Sequence, residues 1–181
     1  MNDFAVWMIQ VLVIYLGIFM IPLIVLIINE IKKGEDMREL KIYLAGKMSG
    51  LKYENMYEWR AYLKNKLVSM AEHHGQKAYV VNPVDFYNFE NARHQTEIEI
   101  KMFDLNHVLS SDIVIVNLDG LATSDGTKYE LHDAKKANIP VIAFGDYKLY
   151  EDLHPWTKDN ITRVENNIDD IVEYIKDFYM C

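Results

Sequence analysis

The sequence predicts an α/β protein: a doubly wound, mainly parallel sheet of four or five strands, flavodoxin- or Rossmann-like, preceded by one transmembrane helix. Three observations predict it. Short apolar runs rich in β-branched residues alternate with stretches of helical periodicity, the pattern that builds parallel sheets with helices on both faces. A polar, glycine-bearing segment, Asp119 to Glu130, follows the apolar run Ile113–Leu118, and open α/β sheets place ligand sites at that edge. Ahead of the alternating region, Phe4 to Ile28 is apolar apart from Gln10.

That amino-terminal stretch is long enough to cross a bilayer as a helix, for which about 20 apolar residues suffice. A core helix of a soluble domain shows a polar face; this one has almost none. A cleaved signal peptide needs a positive amino-terminal region and a small-residue cleavage site, whereas the early charge here is Asp3. A retained single-pass anchor over residues 1–29, spanning the membrane through residues 4–28, is therefore expected, with Trp7 near one interface. Lys32, Lys33, Arg38 and Lys41 follow the span, so the positive-inside rule places the carboxyl-terminal domain in the cytoplasm.

Residues 30–39 are charged, contain Gly34 and read as a linker; residues 40–181 form the globular domain. Leu40–Ala45 is the first strand and Gly46–Gly50 a loop. Asn55 with Glu58 three residues on reads as a capping box. Met56, Trp59, Leu63, Leu67 and Met70 then make the buried face of a helix that Gly75 ends. Ala78–Asn82 is the second strand, stopped by Pro83. Thr96 to Leu109 is helical, with Ile98, Met102, Leu105 and Leu109 on one face. Ile113–Leu118 is the third strand, Thr127–Asn138 the next helix and Pro140–Gly145 the fourth strand. Ile161–Val164 is a short fifth strand. Asn167 to Phe178 is the last helix, with Asp169 and Asp170 near its positive end.

Composition narrows the function. The 181 residues carry a net charge of -8, which argues against a nucleic-acid surface because no basic stripe is present to neutralise phosphates. The single cysteine, Cys181, allows no internal disulfide. The six histidines show no zinc-ligand spacing, so neither a metal nor another cofactor is expected.

Four spots cluster at strand ends or can reach them: the Gly46–Gly50 loop, Asn82 to Asp85, the helix carrying Asp104, and Asp119 to Glu130. In a parallel sheet the strand carboxyl ends share one edge, so these segments converge. Asp104 precedes the third strand and by simple topology starts from the opposite edge; it must reach the site along its helix. Glu130, just inside a helix, is placed either to act on a small molecule or merely to favour the helix dipole. Tyr43 either bonds a carboxylate or packs in the core.

The order of these segments resembles the nucleoside 2-deoxyribosyltransferase family, including its relatives that hydrolyse deoxynucleoside 5'-monophosphates. The resemblance runs from Lys41 to about Gly145. It rests on Ile42-Tyr43-Leu44-Ala45-Gly46, on Asn82-Pro83, on Asp104 ahead of Ser111-Asp112, on Asp119-Gly120, and on Gly126-Thr127 with Glu130 and Ala134. It implies cleavage or transfer at the N-glycosidic bond of a 2'-deoxynucleoside or its 5'-monophosphate. Glu130 would be the nucleophile that holds the sugar as a covalent ester, after an oxocarbenium-like transition state. Asp104 would orient sugar or nucleophile, and Tyr43 would hydrogen-bond Glu130. Gly46, Lys47, Ser49 and Gly50 would receive a 5'-phosphate; Asn82, Asp85, Asp119, Ser124, Asp125 and Gly126 would contact base or sugar. The family assembles into oligomers, so a homo-oligomer is implied. The tail Phe178-Tyr179-Met180-Cys181 either completes a neighbour's site or frays.

Two departures stand out. The family's Asp-Ser-Gly-Thr appears as Ser124-Asp125-Gly126-Thr127, and the glycine two residues after the glutamate is His132. The first moves a carboxylate by one position; the second puts a bulky side chain where close helix approach is usual. They motivate an alternative, a catalytically inactive, membrane-tethered nucleotide-binding module. A third reading is a domain that only anchors a membrane partner.

Overall fold

The computed structural model describes residues 7–8, 17–27, 39–87 and 93–180. The chain divides into two units, Met1–Arg38 and Glu39–Cys181. In the first, residues 7–8 and 17–27 are helical, and Ile18, Phe19 and Leu26 are exposed. Among the described residues no helix is long and apolar enough to cross a membrane. Of the expected span over residues 4–28, residues 7–8 and 17–27 are described and the rest lies outside the described residues.

The second unit is a five-stranded sheet in the order β2-β1-β3-β4-β5, with every neighbouring pair parallel. Its strands are β1 (Glu39–Ala45), β2 (Lys77–Val81), β3 (Ile113–Asn117), β4 (Val141–Phe144) and β5 (Arg163–Glu165). The principal helices are α1 (Tyr53–His73), α2 (Glu97–Leu109) and α3 (Asp125–Lys136). Two short helices follow, α4 (Tyr147–Glu151) and α5 (Pro155–Lys158), and α6 (Ile168–Tyr179) ends the fold. The chain moves outward from β1 to β2, then crosses back to lay β3 on the other side of β1. The switch point thus lies between the carboxyl ends of β1 and β3, where ligand crevices form.

Strand alternation assigns the two faces. Ile42, Leu44 and Ile113 pack with Leu63, Leu67 and Ile175 on one side, under α1 and α6. Tyr43, Ala45 and Val114 pack with Val108, Leu131 and Ala134 on the other, under α2 and α3. A fully buried aliphatic side chain contributes about 1.5–3 kcal/mol, so both layers are needed to hold the sheet. Because Tyr43 is an odd member of β1, it faces α3, and this parity carries it to the site.

Several local expectations are corrected. α1 begins at Tyr53, capped by Lys52 with no side-chain bond, so Asn55 and Glu58 lie inside the helix and form no capping box. Arg60 and Ala71 join Met56, Leu63 and Leu67 on its buried face, while Trp59 and Met70 are only partly buried. In α2 the buried residues are Asp104, Leu105 and Val108, whereas Ile98, Met102 and Leu109 are exposed. Val108 packs with Val114, Leu131 and Ala134 beneath the helix, and Phe103 and His107 meet the Phe86 ring at its flank. β5 starts two residues later than expected and ends one later. The tail does not fray at Met180, which is buried in the core beside Ile175.

Candidate active site

Glu130 sits in the second turn of α3, where helical spacing with Thr127, Leu131 and Ala134 places it on the inner face. It is 8 % exposed. The hydroxyl of Tyr43, itself fully buried on β1, donates to Glu130 Oε1 at 2.9 Å. Burial first, and the nearby Asp104 second, push the Glu130 carboxyl up to about 8; the Tyr43 bond and the Arg60 charge oppose them. Tyr43 is held well above the ordinary phenol value, first by burial and then by Glu130 and Asp104, so it remains a donor.

Asp104, in the middle of α2, reaches the same place despite starting from the opposite sheet edge. It is 6 % exposed and lines a cavity of about 440 Å³ together with Glu130. Its carboxyl is raised to about 6 by burial, against the lowering effects of the Tyr87 hydrogen bond, His94 and Arg60. Tyr87 donates to Asp104 Oδ1 at 2.5 Å. Two buried carboxylates, each fixed by a tyrosine hydroxyl, thus border one cavity. Such a pair can offer one carboxylate as a nucleophile and the other to orient a ligand or handle a proton.

The loop after β1 forms the other wall. Gly46, Lys47 and Ser49 line the 440 Å³ cavity, as do Ser124, Asp125 and Gly126 at the start of α3. Lys47 Nζ donates to Thr123 Oγ1 at 3.0 Å, tying this loop to the one after β3. Gly50 lines an adjoining cavity of about 610 Å³ with Met56, Tyr87 and His94; the two cavities share Met48, Ser49, Glu97 and Ile100.

Arg60 shapes that loop and is not foreseen from the sequence, where it reads as a polar interruption in an apolar helix face. Fully buried, it donates to the carbonyls of Leu44 (3.3 Å), Met56 (2.5 Å) and Gly46 (2.8 Å). Its guanidinium lies 4.4 Å from the Trp59 ring centre, and burial lowers it to about 10. A Cβ on Gly46 would stand 3.0 Å from Trp59 and 3.1 Å from Arg60, so a side chain there crowds the loop. An Arg set among apolar helix positions is the one signal the sequence carries.

Other candidates lie elsewhere. Asn82 is buried and caps the 3-10 turn Pro83–Phe86 by accepting from Val84 N, while its Nδ2 donates to Asp85 Oδ1 at 2.8 Å. Asp85 pairs with Lys64 at 2.7 Å. Neither lines the two cavities above. Asp119 lines a third cavity of about 400 Å³, with Asn55, Glu58 and Asn117. Among the described residues no group of His, Cys, Asp or Glu is placed to hold a metal ion.

The two sequence departures have mild consequences. Asp125 turns outward to Lys128 at 3.0 Å with 88 % of its side chain exposed, while Ser124 Oγ meets Thr127 Oγ1 at 2.8 Å. His132 is exposed, so it does not crowd the packing of α3.

Among solved structures, a conserved protein from Enterococcus faecalis V583 is similar at 23% identity and a TM-score of 0.61, over 77% of this chain and 99% of that one. A 2-deoxyribosyltransferase from Bacillus psychrosaccharolyticus matches at 17% identity and a TM-score of 0.46, over 74% of this chain and 91% of that one. The CMP N-glycosidase of Clostridium botulinum matches at 13% identity and a TM-score of 0.42, over 76% and 99%. The first of these supports the fold. No curated protein matches the chain. The model of the nucleoside 2-deoxyribosyltransferase family matches residues 42–166, a stretch that begins in β1, ends just past β5 and includes Tyr43, Asp104 and Glu130. The chain belongs to the nucleoside 2-deoxyribosyltransferase family.

Proposed function

We propose that this protein is an enzyme that cleaves or transfers at the N-glycosidic bond of 2'-deoxynucleosides or their 5'-monophosphates. Glu130 attacks the anomeric carbon, the base departs with the bonding electrons and takes up a proton, and the sugar remains as an ester on the carboxylate. Water or a second base then displaces Glu130 and restores it. The observation that carries this reading is the buried Glu130 carboxyl, oriented by Tyr43 at 2.9 Å and bordering a cavity that Asp104 also lines. Family membership points the same way. The adjoining 610 Å³ cavity suits a two-part ligand, with sugar over Glu130 and base beyond.

The test is a panel of 2'-deoxynucleosides and their monophosphates incubated with the protein, with free base read by chromatography. Base release that disappears in Glu130→Ala is expected. Ligand binding without release would instead favour an inactive binding module, the reading that the Ser124-Asp125 exchange and His132 motivate. Adding an acceptor base separates transfer, which yields a new nucleoside, from hydrolysis, which does not.

Two features of setting belong to the same proposal. The apolar run over residues 4–28 tethers the domain to a membrane with the catalytic unit on the cytoplasmic side; flotation with lipid vesicles that fails for the full chain would refute it. The second is assembly of the chain into a homo-oligomer; a light-scattering mass matching one 21.2 kDa chain would refute it.

A further inference from the structure

We infer that Tyr87 is a positioning residue for the proposed reaction: its hydroxyl fixes the Asp104 carboxylate in the wall between the two cavities, so that Asp104 meets the sugar of a substrate whose reacting carbon lies over Glu130. This rests on the proposed function and adds a residue to it. Tyr87 belongs to neither the sequence motifs nor the cavity that holds Glu130. It follows the 3-10 turn after β2 and lines the 610 Å³ cavity.

The geometry has three parts. The hydroxyl of Tyr87 donates to Asp104 Oδ1 at 2.5 Å, so one carboxylate oxygen is committed to it. The Tyr87 ring is held independently, edge-on to His94 at 5.5 Å and to Phe103 at 6.2 Å between centres. Phe103 precedes Asp104 on α2, so one aromatic cluster meets both the helix and the tyrosine. Third, Asp104 lines the Glu130 cavity while Tyr87 lines its neighbour, which puts their hydrogen bond in the dividing wall. The pair repeats, one helix away, the Tyr43–Glu130 arrangement.

The charged and titratable groups around Asp104 are Tyr87, His94, Arg60 of α1, Glu130 of α3 and Tyr43 of β1. Burial raises Asp104, and the Tyr87 hydrogen bond is the first opposing influence. Burial and Asp104 together raise the Tyr87 phenol, which keeps its proton for the bond. Removing the hydroxyl therefore loosens the carboxylate and moves its titration upward.

Tyr87→Phe in the full chain tests this, because the ring contacts survive and only the hydroxyl is lost. Kinetics are measured on the substrate that the base-release panel identifies, in the wild type, Tyr87→Phe, Asp104→Asn and the double variant. The expected result is a kcat lower by roughly 10-fold or more, with KM changed far less, since one hydrogen bond to a charged group is removed. The lower of the two ionisations on the acid limb, that of Asp104 beneath that of Glu130, should move to higher pH. In the Asp104→Asn background the same substitution should cost almost nothing further, because it acts through that carboxylate. Equal losses in both backgrounds, or an unchanged kcat and pH limb, would overturn the inference while leaving Glu130 chemistry intact. A wild type that releases no base from any substrate, although it binds nucleotides, would overturn both. Should Tyr87→Phe melt far below the wild type, carboxyl 13C resonances of the wild type and Asp104→Asn decide: an Asp104 signal whose titration does not move the Tyr87 ring resonances refutes the coupling.

Discussion

The hydroxyl of Tyr43 and Oε1 of Glu130 lie 2.9 Å apart across the interface between β1 and α3, both removed from water. The strand contributes a donor that cannot readily ionise, and the helix contributes a carboxylate whose rotation is thereby fixed. In the proposed reaction that bond must lengthen or realign as Glu130 passes from carboxylate to ester. Tyr43→Phe should therefore lower kcat for base release by about 10- to 100-fold, the equivalent of one hydrogen bond to a charged group. The rate of free-base formation at saturating substrate checks this; a variant as fast as the wild type removes Tyr43 from the mechanism.

The raised carboxyls make stability and activity run in opposite directions with pH. Between its ordinary 4.5 and about 8, Glu130 holds a proton in the folded state that the unfolded chain has released. Its contribution is fully present below pH 4.5 and is lost as pH rises through about 8. Asp104 acts in the same sense between 3.8 and about 6. Attack, however, requires the ionised Glu130, so base release should climb over the interval in which stability falls. Glu130→Gln should melt above the wild type at pH 8.5 and close to it at pH 4.5. Parallel melting curves across that range would contradict the assignment.

Gly46 is confined by contact with the Trp59 ring and the Arg60 guanidinium. Gly46→Ala should destabilise the protein by roughly 1–3 kcal/mol, the usual cost of overpacking. It should also raise KM, because the loop it displaces carries Lys47 and Ser49 into the cavity. Chemical denaturation and steady-state kinetics measure the two effects separately. An alanine variant with unaltered KM shows that the loop backbone does not meet the ligand.

Asp85 offers a contrasting expectation. Its partners are Asn82 and Lys64, and the Lys64 pair is partly exposed on both sides. Asp85→Ala should cost less than about 1 kcal/mol and leave base release unaltered. A large loss of activity would show that the segment after β2 approaches the substrate during turnover.

The strands are easy to read because buried parallel strands are continuous apolar runs, as Ile113–Asn117 illustrates. The site is legible where topology alone brings residues together: Gly46, Glu130 and Ser124 all stand beside the carboxyl ends of β1 and β3. Helix faces are harder. In α2, Ile98, Met102 and Leu109 have helical spacing yet are exposed, while the buried residues are Asp104, Leu105 and Val108, so the helix is rotated from the face its aliphatic residues suggest. Asn55 and Glu58 carry a capping signature, but the chain turns helical at Tyr53, before either residue. Tyr87 and Arg60 leave little trace because their roles depend on contacts 17 and 14 residues away in sequence, with Asp104 and Gly46.

Arg60 binds three carbonyls contributed by β1, the loop after it and its own helix. The pentapeptide Gly46–Gly50 consequently has no shape of its own to export. Transplanted into an unrelated scaffold it would need α1 as a companion, guanidinium included. Within this chain, loop grafts drawn from homologues are compatible only when they keep a carbonyl where Gly46 presents one.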